Sequence, residues 1–393
     1  MKKIPLLVKI IAAIMAGVLL GQIMPDVVVR ITNTMCGLFD QLLRFLIPLI
    51  IVGLVTPAIA EVGGRAGKML LLTVGLAYAF TVLSGLFAYG FSTALFPSLL
   101  DSQFSAVGGQ WSAVNGQSSV LAPYFTIAVP PLMDVMTALV LAFMVGLGIA
   151  AFGGQALRGG FNEFRTIVSK TIGNVIIPLL PVYIFGIFLN MAAVGQVASV
   201  LTAFVAIVVI IFLMTIVLLL MQYGVAGLVT RRNPLKLLRT MLPAYFPALG
   251  TASSAATIPV TLRQTLSNRV PEPVAGFVVP LCATIHLSGS TLKITSCAVA
   301  LMLMQGIDFS FGQMLGFVMM LGVTMVAAPG VPGGAIMAAL GVLEGVLGFD
   351  SQQQTMMITL YIAMDSFGTA CNVTGDGAIA LIINRIAKNS RPR

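Results

Sequence analysis

Three stretches of this 393-residue chain contain neither lysine nor arginine: Met69 to Leu157, Thr171 to Thr230 and Ile294 to Asn384. An ordinary soluble domain cannot be built this way, because about a quarter of its residues are charged. Here 8% are charged and 58% are hydrophobic, and the mean hydropathy is +1.04. The chain reads as an all-α polytopic membrane protein.

The basic residues gather between these stretches, where the positive-inside rule places cytoplasmic loops. The net charge of +9 therefore gives no case for a nucleic-acid partner. Apolar runs predict eight crossing helices at about 5–24, 36–60, 66–97, 130–151, 161–192, 198–228, 272–305 and 354–386, each near or above the ~20 residues a crossing needs. Both chain ends then face the cytoplasm. The first run, KIPLLVKIIAAIMAGVLLGQI, lacks a small-residue cleavage site and reads as a membrane helix rather than a signal peptide. Cys36, Cys282, Cys297 and Cys371 lie in apolar context without metal-ligand spacing, which supports neither disulfides nor a zinc site. The polar stretch Pro97 to Pro123 reads as an external loop, too short for a sensing domain.

Two apolar segments do not fit a simple crossing. TMLPAYFPALGTASSAATIPVTL lies between Arg231, Arg232, Lys236 and Arg239 on one side and Arg263 and Arg269 on the other. Basic residues on both flanks predict a re-entrant hairpin that opens to the cytoplasm, with its tip at GTASSAAT. Phe311 to Gly348 is interrupted by APGVPGG and must return to its external side, because the last helix ends at the basic residues Arg385, Lys388, Arg391 and Arg393. It predicts a second hairpin, opposed to the first. Irregular backbone at membrane depth is tolerated only where protein or a water-filled cavity satisfies it. Broken helices around a midplane site are the signature of secondary transporters.

In the last helix Asp365, Thr369, Asn372 and Asp376 fall at i, i+4, i+7 and i+11, on one face. Membrane aspartates are functional candidates because an unpartnered carboxylate is costly there. Eleven residues at 1.5 Å rise place the two aspartates about 16 Å apart, too far for the shared-proton dyad of an aspartyl protease. The segment ATIHLSGSTLK holds His286, the only histidine, so a serine-protease reading lacks a well-placed base. A channel needs a continuous lined path, whereas polarity here is concentrated at hairpin tips and in two helices. The better physical use is to hold a small charged solute together with a cation. Carboxylates and main-chain carbonyls can coordinate Na⁺, and helix N-termini and hydroxyls can receive a carboxylate.

The motifs TASSAATIPVTLRQ, PLCATIHLSGSTL, PGVPGGAIM and DSFGTACNVTGDGAIA, with LLRFLIPLIIVGLV in the second helix, resemble those of the dicarboxylate/amino acid:cation symporter family, which includes the glutamate transporters. The resemblance implies eight transmembrane helices with two opposed re-entrant hairpins, assembled as a homotrimer among the lipids of a bacterial inner membrane. It also implies an elevator mechanism and this division of the chain: 1–60 scaffold helices 1 and 2; 61–97 helix 3 of the transport domain; 98–192 the external loop and scaffold helices 4 and 5; 193–230 helix 6; 231–393 the transport core. That core would contain hairpin 1 at 234–265, broken helix 7 at 272–305, hairpin 2 at 311–348 and helix 8 at 354–388. The substrate site so implied comprises Ser254, Ser290, Val331, Gly333, Asp365, Thr369 and Asn372, with Asp365 receiving a substrate amino group. One implied cation site uses Asp376 with main-chain oxygens of Cys282, His286 and Asn372. A second uses the carbonyl of Thr284 with main-chain groups near Met325 and Ala328.

The chain departs from the family pattern at four places, one of them a second hairpin tip, APGVPGG, that is one residue shorter than usual. The helix-seven break usually reads Asn-Met-Asp-Gly-Thr and here reads His286, Leu287, Ser288, Gly289, Ser290, so a cation-ligating aspartate is missing. In helix three, Thr73 and Tyr78 fall out of register with the ligands expected for the same cation. Gly368 stands where members that carry acidic substrates have an arginine, while Lys293 replaces a nearby aromatic residue. Lys293 is therefore expected to supply the lost cation, binding a substrate carboxylate or standing in for a bound Na⁺, the alternative being a salt bridge to Asp365 or Asp376. His286 is expected to brace the helix break as a neutral imidazole, the alternative being coupling to H⁺.

Overall fold

The computed structural model describes residues 6–64, 68–115, 122–193, 197–328 and 333–389. Every regular element among them is helical. The order is α1 (Leu6–Gly21), α2 (Asp26–Gly64), α3 (Lys68–Asn115), α4 (Val135–Phe152), α5 (Gln155–Thr171), α6 (Ile177–Ala193), α7 (Val197–Thr230), α8 (Pro234–Thr251), α9 (Ser254–Ser267), α10 (Glu272–Ile285), α11 (Ser288–Met304), α12 (Phe311–Val326), α13 (Gly334–Leu347), α14 (Ser351–Ala363) and α15 (Asp365–Asn389).

Among the described residues six helices are long and apolar enough to cross a membrane, and shorter apolar helices cover Val8–Gly21 and Val140–Phe152. The 18 residues of α4 rise about 27 Å, close to the ~30 Å of a hydrocarbon core. Several helices outrun their apolar segments. The second begins at Asp26 rather than near 36, and within the added turns the Thr32 and Thr34 hydroxyls bond to the carbonyls of Val28 and Arg30 one turn back. The third continues through Pro97 to Asn115, replacing most of the expected external loop. A proline removes one N–H and kinks a helix without having to end it. Residues 116–121 of that loop lie outside the described residues.

The fifth expected crossing is α5 joined to α6 through a π-helical turn, Ile172–Ile176, in which the N–H of Ile177 reaches back to the carbonyl of Ile172. Pro178 follows immediately and has no N–H to offer the carbonyl of Asn174, which favours the wider turn.

The two unusual segments form helical hairpins. α8 and α9 are joined by Ala252 in a left-handed conformation and by Ser253, whose side chain caps α9 at the N–H of Ala256. α12 and α13 pack on each other, and Gly333 precedes α13 with a φ of +75°. Tip residues 329–332, and with them the expected site residue Val331, lie outside the described residues. Two further helices are interrupted: α10 and α11 at His286 and Leu287, α14 and α15 at Met364. The second interruption divides a helix that sequence periodicity treats as continuous.

Packing divides the helices into two sets. α1 packs on α6, and α2 on α4, α5 and α6; α3, α7 and the hairpins gather around α10, α11 and α15. Contacts between the sets are sparse and run chiefly from α13 to α2 and α4 and from α14 to α1. Polar links cross that boundary as well. The hydroxyls of Tyr183 and Thr355 lie 2.7 Å apart, and Arg44 Nε donates to Ser351 Oγ at 3.1 Å.

Where α1 crosses α6, a methyl group on Gly17 would lie 2.7 Å from the Phe185 carbonyl oxygen and 3.0 Å from the Leu189 nitrogen. Backbone cannot yield as a side chain can, so small residues set how closely membrane helices approach. Gly17→Ala is expected to destabilise by ~1–3 kcal/mol through overpacking, read as a lower melting temperature in detergent.

Candidate functional site

The interruption at His286 and Leu287 frees backbone groups deep inside the protein; side chains of α3 and α15 bond to two of them, and one from α7 bonds to the neighbouring Ser288 hydroxyl. Ser84 Oγ of α3 lies 2.8 Å from the Ser288 carbonyl. Gln222 Nε2 of α7 donates to Ser288 Oγ at 2.9 Å, and the N–H of Gly289 donates to Asn372 Oδ1 of α15 at 2.8 Å. Asn372 Nδ2 then donates to Ser290 Oγ at 3.2 Å, and the Tyr361 hydroxyl lies 3.0 Å from the same oxygen. Glycine makes room for this crossing: a Cβ on Gly375 would lie 2.5 Å from Gln222 Oε1 and 2.7 Å from His286 Cε1.

His286 turns inward. Its Nδ1 lies 2.9 Å from Asp376 Oδ1, with both side chains almost fully buried. Among the described residues neither His286 Nε2 nor Gln222 Oε1 has a hydrogen-bond partner. The contact between His286 and Asp376 ties the helix break to α15.

Beside this network lies a cavity of about 30 Å³. Its described lining includes Ala252 and Ser254 from hairpin 1, Thr284, Leu287 and Ser290 around the α10–α11 break, Ala328 and Ala335 from hairpin 2, and Tyr361, Asp365, Thr369 and Asn372 from α14 and α15. Asp365 Oδ2 accepts the Gly333 N–H at 2.7 Å, which ties the second hairpin to α15.

Of the expected substrate residues, Ser254, Ser290, Asp365, Thr369 and Asn372 share this cavity, and Gly333 touches its aspartate. Lys293 is not among the described residues lining it. The lysine is fully buried, with Nζ 3.6 Å from Asp365 Oδ1, within salt-bridge distance of that aspartate. Of the expected cation residues, Thr284 and Asn372 line the cavity, and His286 meets Asp376 through its side chain and the Cys282 carbonyl through its N–H. No group of three or more His, Cys, Asp or Glu side chains is close enough to hold a metal among the described residues. A cation there would depend on main-chain oxygens and Asp376.

Three contributors escape sequence reading. Tyr361 lies one turn before Asp365, and that spacing is the signal that could have found it. Ser84 and Gln222 come from apolar helices with no local motif. Tyr78 bonds instead to the Met319 carbonyl, and Thr73 to Met69 within its own helix.

A helical membrane protein with a small polar cavity enclosed by two re-entrant hairpins and two broken helices has the architecture of a membrane transporter. The family model described as the sodium:dicarboxylate symporter family matches residues 6–386. The chain belongs to that family, one of symporters and not of enzymes. It is 28% identical over 241 residues to excitatory amino acid transporter 1 of Rattus norvegicus, a match covering 60% of this chain and 44% of the relative. It is 31% identical over 166 residues to excitatory amino acid transporter 5 of Homo sapiens, covering 42% and 30%. With an excitatory amino acid transporter of Caenorhabditis elegans it shares 27% over 264 residues, covering 65% and 52%. These matches span about half the relatives' length or less.

Asn372 serves both the Gly289 N–H and Ser290, so Asn372→Leu leaves buried polar groups unpaired at nearly constant volume. A loss of ~1–3 kcal/mol is expected, measured as a lower melting temperature, whereas Asn372→Asp keeps an acceptor for Gly289 and should lose less.

Proposed function

We propose that this protein is a cation-coupled symporter that imports an amino acid or a small dicarboxylate, with Na⁺ as the favoured coupling ion. The observation that carries this reading is the shared cavity, where Ser254, Ser290, Asp365, Thr369 and Asn372 converge from both a hairpin tip and the broken helices. Its hydroxyls and amide suit a solute carboxylate. Asp376 with the main-chain oxygens of Cys282, His286 and Asn372 would take one Na⁺, and the Thr284 carbonyl with hairpin 2 near Met325 and Ala328 a second. Val331 and Gly333 would help close the site from the tip of that hairpin.

The sparse boundary between the two helix sets supports an elevator in which α3 and α7–α15 move against α1, α2 and α4–α6. A homotrimer held by the second set, embedded in a bacterial inner membrane with both termini cytoplasmic, completes the proposal. The charge pattern of the loops supports that orientation.

A second reading rests on the contact between His286 Nδ1 and Asp376 Oδ1, with Nε2 unpartnered. An imidazole so placed can carry H⁺ in place of a metal cation.

Proteoliposomes loaded without solute test both readings. Under an inward Na⁺ gradient, labelled amino acids and dicarboxylates should accumulate above the external concentration, and Asp365→Asn or Asp376→Asn should lower initial uptake about tenfold or more, equivalent to ~1.4 kcal/mol. Simple equilibration would mean a channel. Uptake driven by a pH gradient without Na⁺, and lost in His286→Gln, would select the proton reading.

A further inference from the structure

Among the described residues Lys293 is the one buried lysine or arginine, with none of its surface exposed. An ammonium group in an apolar interior is retained only where other groups replace its water. Lys293 Nζ donates to the main-chain oxygens of Met364 at 3.2 Å and Asp365 at 3.4 Å, pairs with Asp365 Oδ1 at 3.6 Å, and lies 3.9 Å from the centre of the Tyr361 ring. A carboxylate oxygen, two carbonyls at a helix interruption and an aromatic face form the ligand set of a desolvated monovalent cation. The space for it comes from Gly368, where an added Cβ would run into Lys293 Cε and Nζ. Three oxygens and a ring face surround the ammonium, and Asp365 and Tyr361 line the cavity while Lys293 is not among its described lining residues.

We propose that Lys293 is a tethered cation: its ammonium permanently fills a monovalent-cation cage made by Asp365, Met364 and Tyr361. If the adjoining cavity is the solute site, as proposed above, Asp365 meets the solute already neutralised and no mobile ion is needed at this position.

The test uses thermal unfolding of the full-length protein in detergent, so it stands even for a protein found to carry no solute. The parent, Lys293→Ala and Lys293→Met are melted in ammonium, methylammonium or potassium chloride, with ionic strength balanced by N-methylglucamine chloride. Lys293→Ala should melt below the parent and recover at least half of the loss, saturably, with ammonium or methylammonium, because a ligand of the native state stabilises by mass action. The parent, and Lys293→Met whose side chain fills the cage, should not respond. Equal stability of Lys293→Ala and the parent, or a folded Lys293→Ala that no cation stabilises, overturns the proposal. If Lys293→Ala does not fold, it is combined with Asp365→Asn. A folded double variant indifferent to ammonium supports the proposal, because the unpaired carboxylate is then the fault, and a double variant that also fails to fold overturns it.

Discussion

The structure depends on satisfying interrupted backbone away from water. In hydrocarbon an unpaired N–H or carbonyl costs several kcal/mol, so a chain that breaks helices at membrane depth must bring polar side chains to each break. At His286 and Leu287 the backbone partners come from α3 and α15. At Met364 the carbonyl accepts the N–H groups of Phe367 and Gly368, and the ammonium of Lys293 adds a further donor. These bonds fix where α3, α11 and α15 cross, and the crossings in turn bring both hairpins against one cavity. The site is thus a consequence of how the breaks are satisfied.

Much of this was legible in the sequence because charge and periodicity report directly on it. Basic residues on both sides of TMLPAYFPALGTASSAATIPVTL require that segment to return to its starting side, and it forms α8 and α9. The stripe Asp365, Thr369, Asn372 lines the cavity as a helical face should. Helix ends were less legible, since apolar content reports lipid contact while hydrogen bonding sets length, as Pro97 within α3 shows. The interruption at Met364 was hidden because no glycine or proline marks it. Ser84 and Gln222 carry no motif, and their place follows only from tertiary crossing. Lys293 stood out as a cation in an apolar run, yet the sequence could not choose between a solute and Asp365 as its partner.

Gly368 and Lys293 show one position depending on another. The lysine exists where it does because residue 368 has no side chain. An arginine placed at 368 would require the lysine to leave first.

The bond between Tyr183 and Thr355 has a further consequence. It joins a helix of one set to a helix of the other, and any sliding of the sets must break it before a new partner is reached. A buried hydrogen bond contributes ~0.5–1.5 kcal/mol net, small beside the stability of the whole but several-fold in a population of two states. The pair would work as a detent, biasing the resting position of the machine without touching what it carries.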